Sequence, residues 1–97
     1  MNEIHKGINK FYIGENEQDA IAETTYIPKG EAEYIVNRTF VDESLRGQGV
    51  GLLLLDKMVE LARQENRKII PHCSFVKVMM NRMEKYKDVL AEGGSSK

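Results

Sequence analysis

The sequence predicts a mixed α+β fold of order β-β-β-α-β-α, with a sheet that begins antiparallel and gains one parallel strand. Three observations predict it. Short stretches rich in β-branched and aromatic residues, divided by turn chemistry, fill the chain as far as Val41. Apolar residues then recur at helical spacing through Leu54, Leu55, Met58, Leu61 and Ala62. A short aliphatic stretch, "KIIPHC", and a second apolar stripe of helical period follow. The expectation is a single domain over residues 1–92 and a flexible tail at 93–97.

The first strand is expected around Phe11 and Ile13, the second over residues 20–27 ("AIAETTYI") and the third over residues 34–41 ("YIVNRTFV"). "GENEQD" reads as the polar loop between the first two. "IPKG" places Pro28 and Gly30 where a type I turn favours them, so antiparallel hairpins are the simplest connections. The long helix begins after the glycines of "RGQGVG" and stops near Asn66. "KIIPHC" then reads as a strand. A helix between two strands is long enough for a right-handed crossover, which makes "KIIPHC" parallel to "YIVNRTFV". The second helix is expected from Ser74, with Phe75, Met79, Met83, Tyr86 and Leu90 on one stripe.

Composition narrows the function. The chain has 97 residues, 41% hydrophobic and 30% charged, which is the range of one globular domain. A formal charge of -1 gives neither a nucleic-acid footprint nor a polybasic membrane patch. No apolar run has the length of a signal peptide or a membrane span, and one cysteine forms no internal disulfide; a cytoplasmic protein is the expectation. Two histidines and one cysteine at these spacings give no metal-ligand pattern.

The most informative stretch is "RGQGVG", residues 46–51, directly before the long helix. A helix N-terminus carries unpaired N–H groups and about half a positive charge, and so attracts phosphate where nothing bulky blocks approach. Gly47, Gly49 and Gly51 remove the blocking Cβ, and Arg46 can add a charge-assisted contact. Neither G-x-G-x-x-G nor G-x-x-x-x-G-K-[ST] occurs, so dehydrogenase and P-loop readings lose their specific support. On spacing alone the alternative is a loop whose glycines only let strand and helix pack closely.

Read as Arg46-x-x-Gly49-x-Gly51 between a strand and an amphipathic helix, the segment resembles the acetyl-CoA pyrophosphate loop of the GNAT superfamily of N-acetyltransferases. "RTFVDESLRGQGVG" resembles the central block of its small, single-domain members, and "IIPHCSFV" their Pro-x-Cys segment. The resemblance runs from about Ile4 to Leu90. It implies that "YIVNRTFV" and "KIIPHC" splay apart, that the pantetheine arm of acetyl-CoA lies near Phe40 and Val41, and that the pyrophosphate sits on Gln48, Gly49, Val50 and Gly51. The implied activity is acetyl transfer from acetyl-CoA to a primary amine: a protein lysine, an N-terminus or a small amine.

The chemistry has fewer pointers. Where the family's tyrosine acid is expected on the second helix, this sequence has Met80. Cys73 stands at a strand end before a helix N-terminus, a position that favours the thiolate, and the resemblance places it beside the sulfur end of the cofactor; otherwise it is a small buried hydrophobe. His72 should point to the opposite sheet face and serves either as a base from another direction or as a surface residue. Arg38 stands where relatives of the small subfamily often carry a histidine, and it cannot act as a base. "RMEKY" replaces a common His-Pro pair. Glu15, Glu17, Asp19, Glu31 and Glu33 attract a cationic amine or are merely solvated. The acceptor site is either open or completed by a second subunit in a homodimer. A non-catalytic CoA-binding module and an interaction domain using the Met-rich second helix are the competing readings.

Overall fold

The computed structural model describes residues 3–91. Four strands precede the long helix: β1 (His5–Gly7), β2 (Lys10–Ile13), β3 (Ala22–Lys29) and β4 (Glu33–Val41). A 3-10 turn (Glu43–Leu45) leads to α1 (Val50–Gln64), then β5 (Lys68–Pro71), α2 (Ser74–Arg82) and a second 3-10 segment (Glu84–Val89). The five strands form one sheet in chain order, antiparallel throughout except for the parallel pair β4 and β5. The α+β class and the parallel crossover agree with the sequence expectation.

Three boundaries differ from it, each for a local reason. β1 is an added strand that carries no apolar period. It is three residues long and joined to β2 through Ile8 and Asn9, where Asn9 takes the left-handed conformation (φ 57°) that asparagine tolerates. β3 begins at Ala22 rather than residue 20 and continues through Pro28, which pairs with Tyr34, so the turn falls after Lys29 instead of around "IPKG". The second helix stops at Arg82. Met83 is extended (φ -102°, ψ 122°), the chain tightens into the 3-10 segment, and Leu90 bridges back to Ile69 of β5. The tail expected at 93–97 lies outside the described residues.

The core forms between one sheet face and the two helices. Leu54, Leu55, Met58, Val59 and Ala62 of α1 are at most 2% exposed and share a cluster with Phe11, Ile13, Ala22, Tyr26, Tyr34, Val36 and Ile69 of the sheet. Val76 and Met80 of α2 complete it. This is the outcome of period 3.6 laid against period 2: each element contributes only the residues on its inner face.

Two tyrosines fasten the ends of this layer. Tyr86 is fully buried and its hydroxyl donates to Asp56 Oδ1 of α1 at 2.6 Å; burial and that bond hold its phenol well above its ordinary pKa. Tyr34 donates to Glu65 at the end of α1, with the Arg67 guanidinium 4.5 Å from its ring centroid. Burial first, then the Glu65 bond and charge, push its pKa from 10.0 up to about 12.

Two predictions follow from these contacts. For a phenol whose folded pKa is raised, the stabilising contribution is complete below the unfolded value of 10.0 and disappears as pH rises through about 12. Urea denaturation should therefore give a midpoint that falls between pH 10 and 12, with a shallower fall in Tyr34→Phe. Tyr86→Phe takes a hydrogen-bond donor from the Asp56 carboxylate and should cost about 1–2 kcal/mol at neutral pH, read as a lower urea midpoint at unchanged slope.

Candidate functional site

The parallel pairing of β4 and β5 begins at Glu33↔Lys68 and ends at Val36↔Pro71, although β4 itself continues to Val41. Pro71 sits where an amide would point away from β4, since the amides of Lys68 and His72 are the ones that face it. The amides of His72 and Cys73 both donate to the Val36 carbonyl, at 2.9 and 3.2 Å, and the chain then turns into α2. Residues 37–41 of β4 thus leave β5 behind, and the two strands splay as expected.

A bulge decides which side chains face this opening. Thr25 of β3 pairs with Arg38 and Tyr26 with Val36, so Asn37 is the extra residue on β4. Its side-chain oxygen accepts from Thr25 Oγ1 at 2.6 Å. The extra residue changes the alternation: Tyr34 and Val36 face the core before it, Thr39 and Val41 after it. Thr39 Oγ1 lies 3.2 Å from the buried Thr24 Oγ1, which anchors this end of β4 to β3.

The opening is a cleft of about 440 Å³ between β4, the glycine loop, α1 and α2. One end is polar. Asp42 caps the 3-10 turn, accepting from Ser44 N at 3.0 Å and Ser44 Oγ at 2.7 Å; these bonds, the side-chain one foremost, hold its carboxyl below its ordinary range. That turn delivers Arg46, whose side chain is exposed, to the cleft rim. Gly47 (φ 83°) and Gly49 (φ 74°) adopt the left-handed conformation, and around both the space a Cβ would occupy is open to 4 Å. Gly49 is the N-cap of α1 and, among the described residues, no side chain caps it. Among the described residues the first-turn amides of α1 therefore have no capping side chain, and that turn holds no acidic residue. The other end is apolar, formed by Val41, Leu52, Phe75 and Met79.

Of the residues singled out in the sequence, the cleft brings together Val41, Arg46, Gly47, Gly49, Val50 and Gly51. Gln48 lies within the loop but outside the lining, its side-chain amide 3.5 Å from the Ser44 carbonyl. Phe40 alternates to the opposite sheet face, where the Arg38 guanidinium lies 5.3 Å from its ring centroid. Arg38 itself is paired with Glu23. Cys73 is partly buried as the N-cap of α2 and His72 is exposed, so the two diverge and form no dyad; both sit on the segment that leaves the fork. β5 ends at Pro71, which places them after the strand rather than in it.

Thr39, Leu45, Leu52, Phe75 and Met79 are the lining residues that sequence reasoning did not assign to the site. Their period puts Phe75 and Met79 on the apolar stripe of the second helix. The residues of α2 that reach the core are Val76 and Met80, while Phe75 and Met79, one position earlier in each turn, form the cleft wall. Met80, where the family resemblance leads one to expect a tyrosine, is fully buried. Period alone does not tell a core stripe from a cleft stripe beside it.

A family model for the GCN5-related N-acetyltransferases matches residues 10–89. The chain belongs to that family. A solution structure of a GCN5-like protein from Staphylococcus aureus, provisionally named an N-acetyltransferase, is 47% identical over 92% of this chain and 87% of that one, with a TM-score of 0.80. A GNAT acetyltransferase from S. aureus Mu50 superposes with a TM-score of 0.58 at 18% identity, over 73% of this chain and 48% of that one. A GNAT acetyltransferase from Elizabethkingia anophelis, whose crystal structure holds acetyl-CoA, gives 0.54 at 19% identity, over 64% and 40%. These last two share the fold. No functionally curated protein matches the chain.

The loop geometry yields a prediction that concerns folding rather than ligand. Gly49→Asn, which tolerates positive φ, should keep the urea midpoint close to that of the unsubstituted protein, whereas Gly49→Val should lower stability by about 1–3 kcal/mol.

Proposed function

We propose that this GNAT-family protein transfers an acetyl group from acetyl-CoA to a primary amine. One observation carries the reading: the cleft joins an uncapped helix start, open above Gly47 and Gly49, to an apolar groove floored by Val41 and Leu52. A pyrophosphate needs the first feature and a pantetheine chain suits the second. The Elizabethkingia relative that binds acetyl-CoA shares this fold, which supports the same assignment here.

In this reading the amides at Gly49, Val50 and Gly51, with Gln48 beside them, hold the pyrophosphate, and Arg46 adds a cation at the rim. Val41 and the backbone at Phe40 border the pantetheine arm. Acetyl-CoA supplies an activated thioester, and the protein must place it beside a neutral amine and accept a proton. His72 is the exposed imidazole nearest the fork in sequence and takes the role of base. Cys73, at the N-cap of α2, takes the role of thiol at the reacting end. A cytoplasmic location and a homodimer that completes the acceptor site belong to the same proposal. Among the described residues no helix is long and apolar enough to cross a membrane.

Fully buried Met80, where the family resemblance leads one to expect a tyrosine, favours one competing reading: a module that binds CoA without turnover. The two readings separate experimentally. Isothermal titration with acetyl-CoA should give one saturable site, abolished by Gly49→Glu but retained by Gly49→Asn as a folding control. Transfer to a panel of amines should then fall by roughly 100-fold in His72→Ala, the scale of lost general-base catalysis, and be abolished in Cys73→Ala with binding intact. Binding without transfer to any amine would favour the non-catalytic module. Absence of binding at millimolar acetyl-CoA would overturn both.

A further inference from the structure

Gly51 differs from the other two glycines of the loop. Gly47 and Gly49 have positive φ and open space around the missing Cβ; Gly51 lies within α1, in ordinary helical conformation, and its missing Cβ is already replaced by another group. A Cβ built there would lie 2.9 Å from Phe75 Cζ, closer than real Cβ contacts come, and 3.1 Å from Phe75 Cε2, tighter than most of them. Phe75 stands in the first turn of α2, partly buried, and lines the cleft together with Gly51, Leu52 and Met79.

We propose that the missing side chain of Gly51 is a notch for the Phe75 ring, while its amide stays with the phosphate cradle: Phe75 is the specificity-determining wall against which the pantetheine and acyl arm of the cofactor lies. The inference rests on the acetyl-CoA reading of the cleft and refines it. Behind Phe75, Val76 and Met80 are fully buried in the close-packed core, so a ring pushed off Gly51 has the cleft to enter. A methyl group at position 51 would therefore narrow the apolar end through Phe75 while leaving the amides at Gly49 and Val50 and the side chain of Arg46 as they are. Gly51 is thus a positioning residue acting through Phe75. The helix itself gains from alanine, which favours helical conformation over glycine, so the change need not impair folding.

The experiment compares two ligands by titration calorimetry on four proteins: unsubstituted, Gly51→Ala, Phe75→Leu and the double variant. Acetyl-CoA carries the pantetheine arm; adenosine 3′,5′-bisphosphate carries phosphates without it. Thermal denaturation checks that each variant folds. Gly51→Ala should weaken acetyl-CoA about tenfold, the scale of mild overpacking, and leave adenosine 3′,5′-bisphosphate within twofold. In the Phe75→Leu background, which lacks the reaching Cζ, Gly51→Ala should change acetyl-CoA affinity by less than twofold. Equal weakening of both ligands, or the same loss whether or not Phe75 is present, would show that the missing side chain of Gly51 serves the phosphate cradle and would overturn the proposal. No effect of Gly51→Ala on either ligand would overturn it as well. If the unsubstituted protein binds neither ligand, the acetyl-CoA reading fails, and the proposal fails with it.

Discussion

Everything that resembles a site in this protein depends on where one parallel ladder stops. β4 and β5 pair over four residues each, and the pairing ends at Val36↔Pro71, where the chain turns off toward α2. The Val36 carbonyl closes the ladder by accepting from both His72 and Cys73. Beyond that point β4 still has an antiparallel neighbour, so it keeps its extended form while its other edge is released. A sheet edge exposed in the middle of a fold is unfavourable unless something covers it. Here it borders a cleft whose walls are two helices and a loop.

The bulge at Asn37 acts together with that unpaired edge. Without the extra residue, Thr39 and Val41 would face away from α1, and Phe40 would stand in the cleft instead. With it, a small hydroxyl and a β-branched aliphatic side chain floor the opening, and Phe40 moves to the opposite face beside Arg38. One residue of register thereby exchanges a large aromatic group for a smooth groove. Thr24, buried below and within hydrogen-bond distance of Thr39, holds that register in place.

The glycine loop joins local backbone requirements to the core. Gly47 and Gly49 are required by backbone conformation, since a side chain at positive φ is strained. Gly51 is required by contact with Phe75. Three alternate glycines thus have two separate causes, and an uncapped helix start is tolerated because the following turns bury Leu54, Leu55 and Met58 completely or nearly so. The helix is held by its packing, which leaves its N-terminal amides available.

Sequence by itself determined the class of the fold, the parallel crossover, the glycine loop at a helix start and the family resemblance. These rest on short-range signals: alternation, helical period, turn residues and a motif of fixed spacing. It also singled out Val41, Arg46, Gly47, Gly49, Val50 and Gly51, which the fold gathers along one cleft because a loop and the residues it joins travel together. It did not reveal β1, whose three residues are held by pairing with β2 and by little of their own, nor the early end of α2 at Met83. Only the tertiary structure decided that Phe40 turns outward, that Phe75 and Met79 are cleft wall rather than core, and that His72 and Cys73 diverge beyond the strand end. The physical reason is that each depends on a partner distant in the chain: the pairing with β3 that makes Asn37 a bulge, the notch at Gly51 beneath Phe75, and the Val36 carbonyl that ends β5.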